Sequence, residues 1–147
     1  MGKYKQGEFV PTNKEKFCGK NNPIFRSGWE QKFMTMLDTT TTVIKWCSEC
    51  VAIKYWDKSS QKPRRYFTDF YIEFEDGRKM IIEVKPYKEI QKPIQKQLKT
   101  QKQKMQYLNE MKTYITNMSK WESAKLFCEQ NGIEFKILTE KDNNLFN

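Results

Sequence analysis

The chain contains no histidine. Metal or catalytic chemistry must therefore rest on carboxylates, amines and four cysteines, Cys18, Cys47, Cys50 and Cys128. A zinc site on the lone Cys47-Ser48-Glu49-Cys50 pair would need the other two cysteines, or carboxylates, to complete it. Also missing is any apolar run of about 18 residues, and the basic N-terminus leads into polar sequence instead of a signal-peptide core. A soluble, unsecreted protein is expected. Gln6 stands where a myristoylation signal needs Ser or Thr. In the reducing compartment this implies, disulfides are not expected, and the paired cysteines read as small buried hydrophobes. Acids are few beside bases, 18 against 27, and the formal charge of +9 suits a polyanionic partner, because basic faces gain affinity by releasing counterions from phosphates.

What is present suits one domain across residues 1–147, with an arm of little regular structure over about 1–22 and a polar tail over about 140–147. The stretch from Arg64 to Pro86 organises the rest. Tyr66, Thr68, Phe70, Ile72 and Phe74 alternate with Asp69, Tyr71 and Glu73, and Glu75-Asp76-Gly77 leads into a second alternating run. Turn length decides which side chains meet, since a one-residue slip turns a strand over. A two-residue Asp76-Gly77 loop puts Asp69 beside Val84. A three-residue loop with Gly77 left-handed instead pairs Phe74 with Arg78, Ile72 with Met80, Phe70 with Ile82, Glu73 with Lys79 and Asp69 with Glu83. The second register is the better match. Two carboxylates roughly 5 Å apart on one face repel unless a cation lies between them, and Lys85 shares that face. Two hard oxygen ligands beside an ammonium suit a divalent ion and the water it polarises.

Upstream, Trp29, Phe33, Met36 and Leu37 fall at helical spacing and predict a helix from Ser27 to about Leu37, with Ser27 and Glu30 in the form of a capping box. Asp38 to Thr42 reads as a polar break. Val43 to Trp56 reads as the first strand, or two short strands, beside the hairpin, and Asp57 to Pro63 as a loop. Beyond Pro86, the segment Lys88 to Lys112 predicts a long helix with Pro93 in its first turn and an apolar stripe of Ile94, Leu98, Met105, Leu108 and Ile115. Its basic face, including Lys96, Lys99, Lys102 and Lys104, is either a solvated helix surface or a grip on phosphates. Asn117 or Ser119 is expected to cap a second helix that buries Trp121, Ala124, Phe127 and Cys128 and stops at Gly132. Ile133 to Leu138 alternates as a last strand. The order describes an α/β fold, a mixed β-sheet containing a central hairpin flanked by helices.

Asp69 followed by Glu83-Val84-Lys85 resembles the PD-(D/E)xK signature of restriction-endonuclease-like nucleases, with Thr68 where that signature has proline. Arg26-Ser27-Gly28-Trp29-Glu30 and Arg65-Tyr66-Phe67-Thr68-Asp69 resemble its TnsA-like branch. The start MGKYKQGEF and the closing KWESAKLFCEQNGIEFKILTE extend the likeness to the head completion nucleases of large tailed bacteriophages. The resemblance implies a restriction-endonuclease-like core over about Ile24 to Glu140. In it Asp69, Glu83 and the Val84 carbonyl hold Mg2+, for which Mn2+ can substitute. Lys85 orients water or stabilises phosphate charge, and Glu30 completes the metal shell or helps remove a proton, a role that competes with helix capping. Arg26 joins the four lysines as a candidate DNA contact. The implied activity is DNA endonuclease action late in head maturation, processing packaged ends before tail joining. DNA and head or portal-vertex proteins are the expected partners, with no membrane, in the infected host's cytoplasm or on the virion. Two rivals are a catalytically idle DNA- or portal-binding head protein and a junction-resolving nuclease.

Overall fold

The computed structural model describes residues 6–95 and 97–142. In chain order these form β1 (Gly7–Glu8), β2 (Ile24–Phe25), α1 (Gly28–Thr39), β3 (Val43–Ser48), β4 (Ala52–Asp57), β5 (Lys62–Phe67), β6 (Phe70–Phe74), β7 (Lys79–Val84), α2 (Tyr87–Ile90), α3 (Gln101–Gln130) and β8 (Glu134–Leu138). A mixed four-stranded sheet has the order β3-β6-β7-β8, with β8 parallel to β7 and the other pairs antiparallel. The expected α/β architecture is present, and β1-β2 and β4-β5 form two separate ribbons. No helix among the described residues is long and apolar enough to cross a membrane.

The β6–β7 hairpin takes the three-residue turn: Gly77 sits at φ +92°, its amide meets the Phe74 carbonyl at 3.0 Å, and the Phe74 amide meets the Arg78 carbonyl at 2.9 Å. The ladder then pairs Phe70 with Ile82, Ile72 with Met80 and Glu73 with Lys79. Phe70, Ile72, Phe74, Met80 and Ile82 pack with Phe33, Met34 and Leu37 of α1 in the main core. The opposite pleat of β7, through Ile81 and Glu83, pairs with Phe135 and Ile137 of β8. On α1, Ser27 is the N-cap, its hydroxyl accepting the Glu30 amide at 3.0 Å.

Several expectations change. The alternating run through Tyr66 and Phe74 is two strands, because Thr68 turns the chain out of the ribbon: its amide and hydroxyl both donate to the Val51 carbonyl, at 2.9 and 3.4 Å. Only β3 of the segment 43–56 therefore lies beside the hairpin, while β4 pairs with β5. The basic segment is a short α2, an irregular stretch and then one 30-residue helix instead of two. Thr100 caps α3 in a capping box with Gln103. Asn117 and Ser119 lie buried inside the helix, where Ser119 donates back to the Ile115 carbonyl and accepts the Lys58 amide. Pro93 and Ile94 precede α3, and Met105 and Leu108 are exposed, so the predicted apolar stripe is not a buried seam.

The described part of the N-terminal arm is folded onto the core. Phe9 and Phe17 pack edge-on against the fully buried Trp46, at 5.8 and 4.9 Å between ring centres. Thr12 and Asn13 donate their amides to Oδ2 of Asp38, which is buried on an α1 that runs two residues into the predicted break, to Thr39. Cys47 and Cys50 are joined as a disulfide, against the expectation of reduced thiols. The expected features over residues 1–5 and 143–147 lie outside the described residues.

Candidate active site

The hairpin register sets the centre of the site. The ladder ends at the Phe70–Ile82 pair, and just beyond it the side chains of Asp69 and Glu83 meet in a hydrogen bond. The Val84 amide donates to Asp69 Oδ2 at 2.7 Å, so Val84 meets the site through its N–H. The Asp69 carbonyl accepts the amide of Glu49, which holds φ +54° at the end of the disulfide-closed loop. Thr68 on one side and Glu49 on the other thus fix the backbone that presents Asp69.

The electrostatics are those of two acids sharing a small space. Burial lifts the Glu83 carboxyl far above the ordinary range, and the neighbouring Asp69 charge and a hydrogen bond to Asp69 lift it further. Burial also raises Asp69, but there the Val84 amide and the Glu83 hydrogen bond work the other way. Glu83 therefore holds the proton and Asp69 the charge. Glu83 is 4% exposed, and its Oε1 has no hydrogen-bond partner among the described residues. Orphaned buried oxygens are costly, and a cation between the carboxyls would satisfy them.

Half-buried Lys85 follows directly after β7, its amide tied to the Leu138 carbonyl at 3.0 Å, and its positive charge acts on both carboxyls. Glu30 lies on the first turn of α1. Its Oε2 accepts the Arg26 amide at 3.2 Å, not the amide of Ser27 that a capping box would use. Burial raises this carboxyl, and the field of Asp69 adds to the rise. Arg26 pairs with Glu49 at 3.0 Å, bracing the loop that holds Asp69. Among the described residues no three acids or cysteines are gathered as a ready ion cage. The carboxyl pair with its unpartnered oxygen nevertheless fits a hard divalent ion that keeps several waters, as Mg2+ does.

Lys120 is the residue that sequence reasoning missed. It is half-buried on α3, with its Nζ 5.5 Å from the Tyr66 ring centre, and its charge acts on Glu83. Burial lowers its proton affinity, the Lys85 charge lowers it further, and Glu83, Asp69 and Asp57 oppose the drop. A lysine on the otherwise inward Trp121–Ala124–Cys128 side of a helix was the available signal. The Tyr66 hydroxyl beside this group is buried without a partner among the described residues, and burial and the Glu83 charge raise its proton affinity. Of the candidate DNA contacts, Lys99 lies just before the α3 cap and Lys102 and Lys104 on its first turns, all exposed. Lys96 lies outside the described residues.

A mixed sheet with a central hairpin, flanked by helices, is consistent with the fold of a restriction-endonuclease-like nuclease. A model of the TnsA-like endonuclease N-terminal family matches residues 40–140, and the chain belongs to that family. It is also 38% identical over 135 residues to the head completion nuclease of Enterobacteria phage T4, across 91% of this chain and 90% of that protein. The family match spans β3 to β8 and leaves α1, with Glu30, outside it.

Proposed function

We propose that the chain is a metal-dependent deoxyribonuclease of phage head completion, hydrolysing phosphodiester bonds beside Asp69, Glu83 and Lys85. The pairing of half-buried Asp69 with buried Glu83, whose Oε1 has no partner among the described residues, carries this reading, because such a pair is stable only with a proton or a cation between its oxygens. Asp69 and Glu83 would hold Mg2+ or Mn2+, with the Val84 carbonyl a further ligand by family likeness. When bound, the ion supplies charge neutralisation at the diester and an acidified water.

The chain's own groups do the rest. Lys85 and Lys120 approach the acid pair from β7 and α3, placing positive charge where negative charge gathers on the phosphate. Glu30, raised by burial, is suited to take a proton from the attacking water. Exposed Lys99, Lys102 and Lys104 add positive potential along α3 for the DNA backbone. Head or portal-vertex proteins are the proposed partners, in the infected cell, with packaged DNA ends as substrate.

The test is cleavage of linear and branched DNA with Mg2+ by wild type, Asp69→Ala and Lys85→Ala. Loss of roughly 100-fold or more in both variants is expected. Equal cleavage by all three proteins overturns the assignment, and preference for branched over linear DNA would favour junction resolution over end processing.

A further inference from the structure

The β4–β5 ribbon has one face with no role in the core. Its register pairs Ala52 with Phe67, Lys54 with Arg65 and Trp56 with Pro63, and all six are exposed. Ile53, Tyr55 and Tyr66 point the other way and pack with Ala124 of α3. On the outer face Trp56 is 50% and Phe67 52% exposed, two large rings left in water. Lys54 stands directly opposite Arg65, and like charges so placed destabilise a ribbon unless an anion joins them. Among the described residues no carboxylate pairs with either cation. The ribbon's one acid, Asp57, is turned inward and engaged by Arg64, Ser60 and Thr116.

We propose that this outer face binds an unpaired stretch of the DNA substrate, its bases on Trp56 and Phe67 and its phosphates on Lys54 and Arg65. The proposal rests on the nuclease reading and names the substrate class. Opposed cations ask for a polyanion, and exposed flat rings ask for flat apolar partners; a single strand supplies both, whereas a duplex hides its base faces. The Arg65 guanidinium already lies over the Phe67 ring at 5.6 Å, as in a stacked base-binding platform. Position agrees, since β5 runs directly through the pinned Thr68 into Asp69, two residues beyond Phe67. A strand held on the ribbon would therefore bring the neighbouring phosphodiester to the acid pair. The substrate this favours is a frayed, forked or single-stranded end.

The experiment measures binding in chelator, where cleavage cannot interfere. Wild type, Trp56→Ala/Phe67→Ala and Trp56→Tyr/Phe67→Tyr are titrated with a forked duplex and with a blunt duplex of the same sequence. The alanine pair is expected to weaken fork binding roughly tenfold and blunt-duplex binding less than about twofold, with the tyrosine pair near wild type. Thermal melting controls for folding, which exposed positions should leave intact. Unchanged fork binding by the alanine pair, or equal losses on both DNAs, overturns the ribbon proposal while leaving the nuclease reading in place. Failure of wild type to bind either DNA overturns the ribbon proposal, and the cleavage assay with Mg2+ then decides the nuclease reading.

Discussion

The amide of Val84 lies 2.7 Å from Oδ2 of Asp69, and this hydrogen bond helps decide which of two opposed carboxyls keeps its charge. An N–H donor stabilises a carboxylate and cannot serve a protonated oxygen as well, so the proton resides on Glu83. The site is thus asymmetric before any ligand arrives.

That asymmetry fixes a pH dependence. Glu83 keeps its proton up to about pH 9 in the fold but releases it near the ordinary value of 4.5 when unfolded. Between those limits the folded state binds more protons, so its stability falls as pH rises. Melting temperatures in chelator should drop between pH 6 and 9 more steeply for wild type than for Glu83→Gln. Mg2+ affinity, measured by calorimetry, should rise over the same window as the competing proton leaves.

The Lys120 charge acts on Glu83 from α3, and it should matter more than the side chain's bulk. Lys120→Met is expected to cut cleavage by roughly tenfold or more, with Lys120→Arg retaining part of the rate. Melting should be little changed or raised, because the buried charge is gone. Full activity in Lys120→Met would reduce Lys120 to a packing residue.

Ser27 and Glu30 separate capping from chemistry. Ser27→Ala should lose about 1 kcal/mol of stability, read from urea unfolding, and keep its cleavage rate. Glu30→Gln can still accept the Arg26 amide through its side-chain oxygen. Its stability should stay within about 0.5 kcal/mol while cleavage falls by roughly 100-fold.

Thr68 occupies the place of the signature's proline but uses the amide that proline lacks. Thr68→Pro should lower stability by about 1–3 kcal/mol, and with it the hold on Asp69, whereas Thr68→Ala keeps the amide bond to Val51 and should cost less. A proline variant as stable as wild type would show that this hydrogen bond does not set the crossover.

The sequence showed most where neighbours in the chain decide the outcome. Gly77 and the length of its turn specified the register from Glu73–Lys79 to Phe70–Ile82, and Gly132, at φ +68°, ended α3 as expected. It showed least where alternation was continuous. Tyr66, Thr68 and Phe70 bury on one period across two different sheets, so nothing local marks the break at Thr68. Asn117 and Ser119 have the chemistry of caps, yet packing buries them inside one long helix.

By itself the sequence determined the opposed acids, the lysine two residues on and the capped first helix, because turn length, period and capping act over a few residues. Only the tertiary structure set Lys120 over the Tyr66 ring, where its charge acts on Glu83, turned the β4–β5 ribbon's basic, aromatic face to solvent and laid the N-terminal arm on Trp46. Those placements join residues tens of positions apart, and they follow from which surfaces bury together, a choice no short stretch of chain contains.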